Sequence, residues 1–152
     1  SFKGADIMNG ESVIIYGLDM EIKAGDFVYI VGKVGTGKTS IIRTMIGENP
    51  LQKGYGQVCG FKLNGLREKE IPFLRRKVGV VFQDFQLLMD RTVEENLEFV
   101  LKAINRTEGT AIGMVTHNRG IFEKYHGRVF VCKDESCQEN LNDEVIDLAL
   151  TI

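Results

Sequence analysis

Gly32-Lys-Val-Gly-Thr-Gly-Lys-Thr-Ser40 is the stretch that decides the fold. Gly32 to Thr39 fits the pattern G-x-x-x-x-G-K-[ST], with an additional glycine at Gly35. A polyphosphate needs several backbone N–H groups converging on one point, and the chain curls that tightly only where residues lack a Cβ. Ahead of the loop, Asp26-Phe-Val-Tyr-Ile-Val31 is a short apolar run of strand composition. Behind it, Ile41, Ile42, Met45 and Ile46 recur at helical spacing up to Gly47, which serves as a C-cap. The bland alternative is an ordinary glycine-rich turn before a helix. Two costs speak against it. A lysine at a helix N-terminus opposes the helix dipole by about 0.3–1 kcal/mol unless an anion lies between them. Each loop glycine adds roughly 0.5–1 kcal/mol in chain entropy if its freedom goes unused. Phosphate binding is therefore the stronger reading of Gly32, Lys33, Val34, Gly35, Thr36, Gly37, Lys38, Thr39 and Ser40.

With 152 residues the chain is expected to form one domain over 1–152, long enough for a substantial core. Its 19 basic and 21 acidic residues leave a net charge of −2, so no broad polyanion-binding surface is expected and nucleic acid is not the main partner. No apolar run approaches the ~20 residues of a membrane span, and no signal-peptide pattern is found, so a soluble chain is expected. Cys59, Cys132 and Cys137 are odd in number, and their spacing matches neither a zinc site nor a disulfide framework; reduced structural thiols are expected. A start at Ser1, without an initiator methionine, points to an incomplete gene product.

Before the loop, Val13–Tyr16 and Leu18–Ile22 have strand character and lead through Lys23-Ala-Gly-Asp26 as a turn, an antiparallel approach to a parallel core. After it, Asn49-Pro50 ends the first helical region, Gly56–Leu63 reads as one strand, and Asn64-Gly65 as a turn. Glu68–Arg76 is a charged helical or irregular piece interrupted by Pro72. Lys77–Phe82 and Ala111–Thr116 are buried-strand candidates that run into Gln83 and His117. Between them, Thr92 and Glu95 form a capping box for a helix carrying Leu97, Val100, Leu101 and Ile104 on one face. Gly127–Cys132 and Ser136–Gln138 are expected to pair as a hairpin, and Leu141–Ile152 to form a closing helix whose apolar face of Leu141, Val145, Leu148, Ala149 and Ile152 either packs on the core or faces a partner. Strands that end at the glycine loop, at Gln83 and at His117 place three polar sites at carboxyl ends of parallel strands, where ligands sit in open α/β sheets.

Together, the Gly32–Thr39 loop, Val80-Val-Phe-Gln83-Asp-Phe-Gln-Leu-Leu88, Arg91-Thr-Val-Glu-Glu-Asn-Leu97 and Met114-Val-Thr-His117-Asn resemble the ABC-type ATPases, their cell-division branch in particular. The resemblance covers most of residues 1–133. It implies an α/β fold, a P-loop NTPase core of mostly parallel strands with an antiparallel N-terminal β lead-in. It implies ATP and Mg²⁺ as cofactors, with Lys38 on the β- and γ-phosphates and Thr39 on the metal. Gln83 would be the Q-loop residue that contacts the metal and couples to an integral membrane partner, and His117 the switch histidine that senses the γ-phosphate. The family's nucleotide-binding subunits form a homodimer around two ATP-Mg²⁺. They are cytoplasmic and sit peripherally on the inner face of the plasma membrane through their partner. The alternative within the same resemblance is the ATPase of a related exporter or lipoprotein-release system.

Two departures stand out. The adenine-stacking aromatic of the N-terminal strands is replaced near Ile7 or Met8, so apolar contact would substitute for stacking. Between Gln83 and His117 the chain is too short for the family's helical subdomain, signature and Walker B strand. Val129-Phe-Val-Cys-Lys-Asp134-Glu135 imitates Walker B, but Lys133 breaks the apolar run and the segment follows His117. Either residues are missing near 103–107, or the chain is genuinely short. Removing the Walker B strand is expected to bare a flank of the loop strand itself. Asp84 and Glu94 are conceivable replacement bases, although both read first as solvated residues. A genuinely short chain would be a non-hydrolysing nucleotide-binding or interaction module. A small-molecule kinase needs a basic lid, for which Asn105–Thr110 with its one Arg106 is too short.

Overall fold

The computed structural model describes residues 1–78, 111–115 and 127–140. Strands β1 (Phe2–Asn9) and β2 (Ser12–Met20) form an antiparallel pair. β2 is continuous where two pieces are expected, because Gly17 absorbs the change of face: Ile15 and Leu18 both point inward while Tyr16 and Gly17 lie exposed. At φ 59°, Gly17 turns its N–H onto Asp6 Oδ1 at 2.9 Å, and the pairing with β1 shifts register there. Asp6 is buried and its second oxygen meets Lys53 Nζ at 3.1 Å. The backbone N–H and Lys53 bonds hold its carboxyl pKa below the ordinary value.

The turn expected at Lys23–Asp26 closes through Asp26 N–H on the Lys23 carbonyl, 3.1 Å, and leads into β3 (Phe27–Val31). Val28 to Val31 are all buried, the signature of a strand covered on both faces. After the glycine loop, α1 (Lys38–Met45) runs to Ile46, and Gly47 follows at φ 71° with its N–H on Thr44 O, the expected C-cap.

Gly56–Leu63 is not one strand. Tyr55–Val58 (β4) folds back on Phe61–Lys62 (β5) because Cys59 and Gly60 take positive φ values of 48° and 85° and make a two-residue turn. Nor does Pro72 interrupt the next piece. Glu68–Glu70 is a 3₁₀ turn, and Pro72 lies in the first turn of α2 (Ile71–Arg75), where a missing N–H costs nothing. β6 (Ile112–Val115) falls where the third strand is expected, but it is not buried as expected: Gly113 is exposed and Met114 and Val115 are half-buried, in keeping with its place at the end of the described strand order. β7 (Arg128–Lys133) with β8 (Ser136–Glu139) forms the expected hairpin around Asp134 and Glu135. That hairpin turn settles the Walker B imitation, since Asp134 and Glu135 are exposed turn residues at φ 49° and 58°.

Two sheets result, in the orders β2-β1-β4-β5 and β6-β3-β7-β8. β3 is parallel to both β6 and β7, so it has a neighbour on each side. The bared flank expected on the loop strand is therefore absent. Among the described residues the strands with a single neighbour in this sheet are β6, which lies outside β3, and β8, which lies outside β7. One apolar cluster joins the sheets and α1, including Ile7, Ile15 and Leu18 from the first sheet, Val28, Ile30 and Phe130 from the second, and Ile41. Tyr16 N–H on Glu135 O, 2.8 Å, fastens β2 to the β7–β8 turn. No helix among the described residues is long and apolar enough to cross a membrane.

Candidate functional site

The loop between β3 and α1 is built from the strand outward. Gly32 leaves β3 at φ 149°, and a Cβ there would run into the Cys132 carbonyl on β7 and meet Thr36 Oγ1 at 2.8 Å. The loop therefore rests on β7 through a glycine. Lys33 is exposed, but its carbonyl is an anchor: it accepts Thr36 Oγ1 at 2.8 Å, Thr36 N–H at 3.3 Å and Lys38 Nζ at 2.7 Å. Val34 forms the tip, 84% exposed. Gly35 and Gly37 have φ values of 85° and 91°, and Gly37 lies against Ile14 and Ile15 of β2.

At the helix start the usual compensations are missing. Gly37 is the N-cap, no side chain caps the helix, and the first turn holds no acidic residue. The N–H groups of Gly35, Gly37, Lys38, Thr39 and Ser40 find no acceptor among the described residues. Lys38 is buried to 7% exposure, with Nζ also donating to Gly32 O at 2.6 Å. Burial lowers its pKa. Two of the three ammonium donors are thus used on neutral carbonyls, and no carboxylate is paired with the charge among the described residues. A cation, a positive helix end and several unused amides come together in one short loop, an arrangement suited to an anion with several oxygens.

Thr39 is exposed in the first helical turn and its hydroxyl has no hydrogen-bond partner among the described residues, while Ser40 is buried. No group of three or more His, Cys, Asp or Glu side chains able to hold a metal occurs among the described residues. A divalent cation would therefore take few protein ligands, with the free Thr39 hydroxyl as one, and most of its coordination from phosphate and water. The residues present fit Mg²⁺ only together with a polyphosphate.

The expected base-contact positions do not serve. Ile7 is fully buried and Met8 is 6% exposed, so neither offers a face. Ile14, half-buried beside Gly37, borders the loop together with the buried Ile15, and sequence pattern missed it because it reads as ordinary strand filler. The Cys132 contact was equally hidden, since nothing local links residues 32 and 132. Gln83 and His117, together with the strand over 77–82, the helix over 92–104, the loop over 105–110 and the closing helix over 141–152, lie outside the described residues, wholly or in all but their first positions. The described end of β6 does reach the loop's edge of the sheet: Val115 pairs with Ile30, one residue before the end of β3.

A family model described as ABC transporter matches residues 15–147. The cell division ATP-binding protein FtsE of Bacillus subtilis is 47% identical over 101 residues, covering 66% of this chain and 41% of the relative. The methionine import ATP-binding protein MetN of Rhizobium johnstonii is 37% identical over 93 residues, covering 61% and 26%. The chain thus spans about two fifths or less of the length of these curated relatives. Among solved structures, the dimeric post-hydrolysis state of the ATP-binding cassette MJ0796 bound to ADP and Pi superposes with a TM-score of 0.66 at 17% identity, over 91% of this chain and 97% of that one.

Proposed function

The chain belongs to the ABC transporter family, and on that premise we propose that it binds ATP with Mg²⁺ through the Gly32–Ser40 loop, as the ATP-binding subunit of a complex acting in cell division. The observation that carries this is the set of amides of Gly35, Gly37, Lys38, Thr39 and Ser40, without acceptors among the described residues, around the Lys38 ammonium. Lys38 binds the β- and γ-phosphates, and the Thr39 hydroxyl is a ligand of Mg²⁺. Gln83 contacts the metal and relays its state to an integral membrane partner of the FtsX kind, and His117 senses the γ-phosphate. Two copies pair around two ATP-Mg²⁺, cytoplasmic and peripheral on the inner face of the plasma membrane. Bound magnesium supplies charge neutralisation at the phosphates; the chain's own donors orient and hold them.

The test is nucleotide affinity in Lys38→Ala. Removing a buried cation from such a site costs about 2 kcal/mol or more, so MgATP affinity should fall by roughly 30-fold or more in a sample whose far-ultraviolet circular dichroism is unchanged. Unchanged affinity in the folded variant would reject phosphate binding by this loop.

A second reading follows from the span between Gln83 and His117, which holds no recognisable Walker B acid, general base or signature. As it stands, the chain would then be a non-hydrolysing nucleotide-binding module. ATP turnover by this chain separates the two.

A further inference from the structure

We propose that Cys132 and Cys137 form an oxidisable dithiol that closes to a reversible disulfide across the β7–β8 hairpin, directly behind the glycine loop. The two residues are opposed in the antiparallel register, with Lys133 paired to Ser136 beyond them and Val131 to Gln138 before them. Opposed residues in such a ladder have Cα atoms about 4.5–5.5 Å apart, inside the window of about 4.4–6.8 Å that a disulfide spans. The sulfurs are 2.6 Å apart, and both side chains are buried, at 1% and 3% exposure. Slippage that would part them is blocked by the tight turn at Asp134 and Glu135, whose positive φ values set the register. Cys59, the remaining thiol, is exposed in the β4–β5 turn with its sulfur 3.8 Å from Lys77 O, so it does not compete for either partner.

Contact with Cys132, followed by burial, holds the Cys137 thiol protonated well above the ordinary range, and the resting pair is unreactive. β8 is the outer strand of its sheet, and opening of this edge admits a small oxidant. With a peroxide, one sulfur attacks the O–O bond and becomes a sulfenic acid, releasing one water. The second sulfur then displaces that hydroxyl, which leaves with the second thiol proton as another water. The two electrons lost by the sulfurs reduce the peroxide, and a dithiol reductant restores both thiols. The Cys132 carbonyl lies against Gly32, whose own carbonyl accepts Lys38 Nζ, so the crosslink locks the wall on which the loop rests.

The experiment treats the folded chain with hydrogen peroxide, quenches it, unfolds it and alkylates the remaining thiols with iodoacetamide. Intact mass and peptide mapping then count the reactive cysteines. The reduced chain should take label on all three cysteines. The oxidised chain should take it on Cys59 alone, with a 132–137 crosslinked peptide that dithiothreitol opens. Cys59→Ser should still close the pair, and Cys137→Ser should leave Cys132 alkylatable or further oxidised, but never crosslinked within the chain to Cys59. Full labelling after peroxide, or a crosslink running through Cys59 or between chains, would overturn the proposal. Should Cys137→Ser fail to fold, Cys59→Ser with its peptide map decides alone.

Discussion

Gly32 and Gly35 both sit at positive φ, yet they should respond differently to a methyl group. At Gly32 the added Cβ meets the backbone carbonyl of Cys132, which cannot swing aside as a flexible side chain would. At Gly35 nothing lies within 4 Å, so only the left-handed backbone is penalised, by about 1–2 kcal/mol. Gly32→Ala is therefore expected to lower stability by more than about 2 kcal/mol, because a backbone clash adds to the strain. Gly35→Ala should remain folded. Its loop should nonetheless bind nucleotide more weakly, since the strained residue relaxes away from the curl that aims the amides. Urea denaturation and MgATP titration of both variants check this; equal stability losses would mean that the Cys132 contact is not rigid. The spacing of Gly32, Gly35, Gly37, Lys38 and Thr39 was legible because those residue types are needed locally. What Gly32 rests on was not, because that partner is a hundred residues away.

Arg128 shows how an element is fixed at the opposite end from the loop. It opens β7 and pairs in register with Val28 near the start of β3, so it sits at the amino ends of the parallel strands. Its guanidinium grips Glu139 with two bonds of 2.7 Å, Asp26 Oδ2 at 2.9 Å and the Glu21 carbonyl at 2.7 Å. This joins the starts of β3 and β7 to the end of β8. Glu139 is held below the usual carboxylate pKa chiefly by its Arg128 bonds, and Asp26 chiefly by the Lys23 N–H, with Arg128 adding to it. Both shifts are downward, so their contribution to stability is complete above the unfolded carboxylate values of about 4. It is lost as pH falls through the lower folded values. The native chain should therefore lose stability below about pH 4, and Arg128→Ala, already less stable at pH 7, should show a shallower acid slope. Thermal unfolding from pH 7 to 3 measures it; parallel slopes would remove Arg128 from the account. The hairpin itself was readable from Val129, Phe130, Val131 and Cys132 flanking a turn. The β4–β5 hairpin was not, because Cys59 does not announce a positive φ as Asn or Gly would.

At the scale of the whole molecule, the strand order changes what a short middle segment means. With β6 and β7 on its two sides, the loop strand keeps its backbone partners without a Walker B strand, and the open position lies beyond β6. On the proposed reading, nucleotide binding and catalysis would then separate in space. The loop, its Cys132 support and the helix start are assembled from residues 32–40 and 128–133, while a general base and signature would come from outside those segments. The α/β class and the antiparallel lead-in were legible because periodicity reports them. The order of strands was not, because pairing partners leave no local mark on a buried apolar run. The chain of 152 residues is accordingly expected to bind MgATP while turning it over slowly. On the second reading, the lack of a positioned base would lower the rate by roughly 10²–10⁴ relative to a full-length cassette. Equilibrium binding and phosphate release measured on one preparation decide the matter. Turnover at the rate of a full-length cassette would require a base within this chain, with Asp84 and Glu94 the first to replace. Loss of both binding and turnover in a folded sample would instead remove the nucleotide from the account of the loop.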